Sequence, residues 1–226
     1  DLDPHGSMTS YFGYDPDALE HSCFDLFLHK GNVPGDLPGQ LLLPTSNESI
    51  SLLPSSTALA TLERQSPGQS GLGLVIAKTL AQLWQDFDYA IIDSPPLLGV
   101  LMVNALAASQ QLVIPVQTEH LAVKGLERMV STLAMINRSR KQPLPFSIVP
   151  TLFDRRTQAS LGTLRVLRDA YPDTIWQGYI PVDTRLRDAS RAGLTPSQFD
   201  GKSRGVMAYR ALLKHLLSQQ LVAQVA

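Results

Sequence analysis

A parallel α/β fold, one sheet with helices on both faces, is predicted by three features of these 226 residues. Short apolar runs alternate with longer helical patterns along the middle and end of the chain, the signature of βαβ units. Runs such as Ala90-Ile91-Ile92 and Leu112-Val113-Ile114 are apolar without alternation, as strands buried on both faces are. A 44% hydrophobic and 17% charged composition suits one globular domain with a sizeable core, and the expected domain spans 1–226.

The elements follow in order. Asp1-Leu2-Asp3-Pro4 ends a strand, and strand alternation puts Asp1 and Asp3 on one face. Residues 13–48 crowd Gly31, Pro34, Gly35, Pro38 and Gly39 together and read as a surface excursion. Strands are expected at Leu41–Leu43, Ile50–Leu53, Tyr89–Ile92, Gln111–Val116, Phe146–Thr151 and Thr174–Ile180. Helices are expected at Thr57–Arg64, Leu72–Gln85, Val100–Ala108, Leu121–Asn137, Gln158–Ala170 and Arg204–Leu217. In the last helix Leu212, Leu213, Leu216 and Leu217 form a stripe that docks on the sheet.

Several function classes drop out. The single Cys23 permits no internal disulfide and no all-cysteine cluster within one chain. No run of about 18 apolar residues is present to span a membrane, and no basic segment followed by an apolar core opens the chain as a secretion signal. Charge is uneven. Residues 151–226 carry 11 Lys and Arg against 6 Asp and Glu, a net +5, whereas residues 1–150 carry 8 against 14, a net −6. The basic last third permits contact with a polyanion without requiring it.

The acidic strand ends carry the chemistry. Asp1 and Asp3 suit a hydrated magnesium ion or an attacking water, because hard cations take oxygen ligands. A second such end, Asp93-Ser94-Pro95-Pro96, follows the apolar run Tyr89–Ile92. Two buried runs that end in Asp and lead into Pro point to a nucleotide hydrolase.

Six ordered blocks carry a resemblance over nearly the whole chain: DLDPHGSMTSYFG, DYAIIDSPPLLGVLMVNAL, IPVQTEHLAVKGL, VPTLFDRRT, IPVDTRLRDA and GKSRGVMAY. Together they resemble a ParA-type ATPase of the ParA/MinD group, with the nearest likeness to chemotaxis-associated ParA-like proteins. The resemblance implies a doubly wound P-loop-NTPase-like sheet and ATP with Mg2+ as cofactors. It implies Asp3 orienting the hydrolytic water, Asp1 supporting the magnesium region, and Asp93 as the Walker B carboxylate that holds magnesium through a water. Ser94–Gly99 would be a switch segment sensing the γ-phosphate. Thr151–Asp154 and Pro181–Asp183 would lie around the adenine, with Thr151, Asp154, Pro181 and Asp183 as contacts. Arg156 and Arg185 match the family's DNA-binding positions best, with Arg187, Arg191, Lys202 and Arg204 nearby. His5 stands where the family usually has Gln. The implied partners are a second copy of the chain when ATP is bound, a ParB-like or chemotaxis-array adaptor protein, and nonspecific DNA. The implied location is the bacterial cytoplasm, at the nucleoid or a pole.

Phosphoryl transfer needs backbone N–H groups and a lysine around the phosphates. The family places that loop, with two lysines, ahead of the DLDP block, and these residues contain no counterpart. Gly68-Gln69-Ser70-Gly71-Leu72-Gly73 does not fit, because Lys78 falls more than a turn past Gly73, and the segment reads as a linker and helix start. The expectation is that a strand, loop and helix of about 30 to 45 residues is missing before Asp1, that an apolar slot flanks the strand ending at Asp93, and that these residues alone do not hydrolyse ATP. Two other readings compete with an ATP-driven switch that positions cargo. One is a non-hydrolysing scaffold that binds proteins only; the other is an amidating or biotin-pathway enzyme on the same core, against which stands the lack of a catalytic Cys/His pair.

Overall fold

The structure, a computed structural model, describes residues 1–65 and 71–225, so Gly68, Gln69 and Ser70 of the glycine-rich segment lie outside the described residues. The chain forms two compact units, Asp1–Ser109 and Gln110–Ala226.

In the first unit the leading residues run into a tight turn at Gly6, where φ is +62° and a Cβ would lie 2.6 Å from Pro16, so glycine is required. Helix α1 (Ser7–Tyr11) follows. The excursion holds two more short helices, α2 (Cys23–Leu28) and α3 (Leu37–Gln40). Their sequence signal is local: Ser22 and Asp25 form a reciprocal cap at the start of α2. Strands β1 (Leu43–Pro44) and β2 (Ser51–Leu52) pair antiparallel, so the first two expected strands form a hairpin and not part of a parallel sheet. Helix α4 (Leu59–Gln65), a 3-10 turn (Leu72–Leu74), α5 (Val75–Gln82) and α6 (Val100–Ala108) complete the unit. Leu2, Leu26, Phe27, Leu59, Val75 and Leu101 meet in its core.

Tyr89–Ile92, expected as a central strand, has no strand partner among the described residues. Tyr89 is 65% and Ile91 89% exposed. Its apolar composition is that of a buried strand, but the fold leaves Tyr89 and Ile91 exposed while Ile92 packs partly buried against the core of the unit.

The second unit is built on β3 (Leu112–Gln117) and β4 (Phe146–Thr151), parallel and in register from Leu112 opposite Phe146 to Gln117 opposite Thr151. Helix α7 (His120–Asn137) joins them in a βαβ crossover, and α8 (Gln158–Ala170), α9 (Thr184–Arg191), α10 (Pro196–Asp200) and α11 (Arg204–Val225) follow. Successive β4 residues face opposite ways. Ile148 packs with Val123 and Leu126 of α7 and Leu167 of α8, while Val149 packs with Trp176, Ile180 and Leu212 of α11. Both faces of β4 are therefore covered, whereas β3 buries Ile114 and Val116 and leaves Val113 39% exposed, so the expectation that Leu112-Val113-Ile114 is buried on both faces does not hold for β3.

Thr174–Ile180 runs beside β4 through the single bridge Ile148–Ile175 and does not form a strand. Pro150 accepts from the Ile180 N–H but has none to donate back, which interrupts a ladder. The α11 stripe is also narrower than expected: Leu212 is buried and Leu216 packs beside it, but Leu213 is 55% exposed. Among the described residues no helix is long and apolar enough to cross a membrane.

Candidate nucleotide site

The two acidic chain segments meet in the first unit. The Leu2 N–H donates to the Asp93 carbonyl at 2.8 Å, setting the DLDP segment beside the Asp93 end, and the Leu2 side chain locks this contact into the core. Asp1 is buried. Its Oδ2 accepts from the Thr9 N–H and the Thr9 hydroxyl, both at 2.9 Å, and its Oδ1 accepts from the Asp3 N–H at 3.1 Å. These three donors make Asp1 the brace of the turn.

Asp3 is held differently. Its Oδ1 accepts from the His5 N–H at 2.9 Å and lies 2.8 Å from His5 Nδ1, while Oδ2 has no partner among the described residues. The His5 ring is 85% exposed, so this pair sits at the rim of the site. The Asp3 carbonyl accepts from the Gly6 N–H at 2.9 Å and from the Ser55 hydroxyl at 2.5 Å. One carboxylate oxygen is thus fixed and the other presented.

Loss of water around Asp93 raises its carboxyl above the ordinary carboxylate range, the charge of Asp3 adds to this, and the Ser94 N–H opposes it. Asp93, whose ionisation the Asp3 charge disfavours, suits a cation near it. Among the described residues no group of three or more His, Cys, Asp or Glu side chains forms a direct metal cage. The donor set therefore fits magnesium held through waters and phosphate oxygens, the mode that ion prefers.

In the second unit, Thr151, Pro181 and Asp183 come together with Leu152, Ile180, Val182, Leu186, Arg187 and Tyr209 around a cavity of about 400 Å³, within the range of small-molecule sites. Asp154 does not line it. Arg156 grips the Asp154 carboxylate at 2.7 and 2.9 Å, and this contact lowers the carboxyl to about 2. Asp183 lines the cavity but both its oxygens are engaged: Oδ1 caps α9 through the Arg185 N–H at 3.0 Å, and Oδ2 accepts from the Gly205 N–H at 2.8 Å. The Gly205 bond is the main cause of a lowered pKa.

A carboxyl lowered by folding contributes stability that is present above the ordinary Asp value of about 3.9 and is lost as pH falls through the depressed one. Asp183→Asn removes that dependence. The expected result is faster amide exchange at Gly205 and Arg185 at neutral pH, with little further change on acidification to about pH 3, whereas the parent protein loses protection there. Equal exchange in both proteins at every pH would refute it.

Among the candidate DNA contacts, the two best-matching positions are the ones already paired. Arg156 is bound to Asp154, and Arg185 Nε lies 3.5 Å from Asp200. Arg204 donates to the Val182 carbonyl at 3.4 Å. Arg187, Arg191 and Lys202 are exposed.

Sequence reasoning missed Thr9 and Ser55, both fully buried. Neither carries a signal in a single sequence: Leu53-Pro54-Ser55-Ser56 looks like an ordinary turn between a strand and a helix.

A family model described as an AAA domain (AAA_31) matches residues 1–146. The chain is also 29% identical over 217 residues to the sporulation initiation inhibitor protein Soj of Bacillus subtilis, covering 96% of this chain and 84% of Soj. The chain belongs to this AAA-domain family and is a ParA/MinD-type ATPase. Two solved structures agree with a ParA/MinD-type fold. One, cobyrinic acid a,c-diamide synthase from Mycobacterium smegmatis with an ATP analogue and magnesium, has a TM-score of 0.79 at 33% identity, covering 96% of this chain and 80% of that one. The other, apo McdA from Cyanothece, has a TM-score of 0.78 at 20% identity, covering 94% and 85%, and supports the fold alone.

Proposed function

We propose that this ParA/MinD-type chain works as an ATP-dependent dimerisation switch that positions cargo, either DNA or a polar protein array. The observation that carries the reading is the side-by-side placement of Asp3 and Asp93 through the Leu2–Asp93 bond. Asp3 Oδ2 orients the attacking water and takes up its proton. Asp93 would hold a hydrated magnesium ion, and Asp1 acts on both carboxylates by bracing the turn. Bound magnesium would neutralise charge on the phosphates. Ser94–Gly99 leads from Asp93 into α6, so a change at the acid is delivered to a helix N-terminus. Thr151, Pro181 and the apolar wall of the 400 Å³ cavity suit a planar base.

The test is ATP-dependent dimerisation of a polypeptide that carries a phosphate loop ahead of Asp1, with and without Asp3→Ala. Dimers should form with ATP in both and decay only in the parent. A monomer under every nucleotide condition would defeat the switch and favour the protein-binding scaffold.

The likeness to the M. smegmatis diamide synthase raises amidation as a second reading. Glutamine-derived amidation through a cysteine needs an accessible thiolate. Cys23 is fully buried, and burial pushes its thiol up to about 11, so it does not fill that role.

Nonspecific DNA binding is supported by the basic last third. Reversing the charge of Arg156 and Arg185 should weaken DNA association and make its log–log salt slope shallower, by about one for each phosphate left without its arginine. Unaltered, salt-sensitive binding would remove both residues from the interface.

A further inference from the structure

We propose that Ser55 is a positioning residue for hydrolysis, fixing Asp3 against Asp1 from 52 positions away in the chain. This rests on the reading of Asp3 as the water-orienting carboxylate.

Ser55 is fully buried and uses both of its donors on the acid turn. Its hydroxyl donates to the Asp3 carbonyl at 2.5 Å, and its backbone N–H donates to Thr9 Oγ1 at 2.9 Å. Thr9 Oγ1 in turn donates to Asp1 Oδ2 at 2.9 Å, and Asp1 Oδ1 accepts from the Asp3 N–H at 3.1 Å. The bonds close a ring: Ser55 to Asp3, Asp3 to Asp1, Asp1 to Thr9, Thr9 to Ser55. The groups that form the ring are matched to one another, three of its members are buried, and a closed network of this kind favours one geometry.

Every other contact that orients Asp3 is local. The His5 and Gly6 bonds span two and three residues and travel with the turn if it moves. Leu2 ties the turn to Asp93 through the backbone. Ser55 is the side chain that references the Asp3 peptide to a remote part of the unit, the segment between β2 and α4. Without it the peptide can rotate about its neighbours, and Oδ2 loses its aim while still existing. A misplacement of about 1 Å at a reacting group is enough to cost up to about a hundredfold in rate.

The experiment compares Ser55→Ala, Ser55→Thr and Asp3→Ala in a polypeptide that carries the phosphate loop. Ser55→Ala should lower kcat at least about tenfold with KM for ATP unchanged, because the base and phosphate contacts are untouched. Ser55→Thr keeps the hydroxyl and should recover most of the rate. Amide exchange at Gly6, whose N–H shares the Asp3 carbonyl with Ser55, should quicken in Ser55→Ala and return in Ser55→Thr. If Ser55→Ala does not fold, Ser55→Cys keeps the volume with a weak donor and is held to the same kcat and exchange criteria. Should Asp3→Ala abolish turnover while the serine variants turn over at the parent rate, the positioning role is wrong and the function reading stands. Should Asp3→Ala itself turn over normally, the function reading fails first.

Discussion

Replacing Asp3 with Ala should lower the rate of ATP hydrolysis by at least about a hundredfold, the scale of a lost general base. The geometry predicts which parameter moves. Asp3 Oδ1 is held by His5, and Oδ2 is free to receive a water. Asp3 is not among the residues that line the cavity expected to hold the base. KM for ATP should therefore hold while kcat collapses, the pattern of an interaction made only in the transition state. Asp3→Asn should fall almost as far, because one amide position donates and cannot accept a proton from water. Single-turnover release of the γ-phosphate measures this directly. A rate within about threefold of the parent, far short of the loss of a general base, would show that the water is oriented by another group and would leave Asp3 as part of the turn alone.

The distance between what the sequence shows and what the structure holds follows from the range of each interaction. Val100–Ala108, Phe146–Thr151 and Gln158–Ala170 are legible to the residue because continuous apolar or helical patterning coincides with clear boundaries. Tyr89–Ile92 reads as a strand by composition, but a strand exists only where a neighbour pairs with it, and pairing is not written in the run itself. Helices α2 and α10 escape a reading by periodicity although each carries a reciprocal cap, Ser22 with Asp25 and Thr195 with Gln198; five or six residues are too few to display a period. At the site, Asp3 and Asp93 are legible because Asp followed by Pro at the end of an apolar run is a local pattern. Ser55 is not, since its meaning lies in an oxygen 52 residues away. Asp154 is gripped by Arg156 and does not line the cavity, whereas Asp183 lines it with both oxygens already engaged by short-range or core N–H groups.

The largest stability effect is expected at Asn104, which anchors the helix that follows Ser94–Gly99. Its side chain is fully buried in α6. Oδ1 accepts from the Ile76 N–H at 3.2 Å, and Nδ2 donates to the Leu72 carbonyl at 2.6 Å and the Val100 carbonyl at 2.8 Å. Ile76 lies in the first turn of α5, where backbone N–H groups lack helical partners, so Asn104 caps α5 from a neighbouring helix. Asn104→Leu fills the space but strands that N–H and the Leu72 carbonyl away from water. Each unsatisfied buried group costs about 1–3 kcal/mol, giving a loss of about 2–6 kcal/mol in urea unfolding. Asn104→Asp keeps the acceptor, loses both donors and buries a charge, so it should be at least as severe. The damage should appear first where α6 begins. There Glu63 Oε1 accepts from the Leu101 N–H at 3.1 Å, and its carboxylate fills the space a Cβ on Gly99 would need. Loosening α6 frees that hydrogen bond, and amide exchange at Leu101 should rise more than at any site in α2. A loss below about 1 kcal/mol would mean that water replaces Asn104 in satisfying these groups.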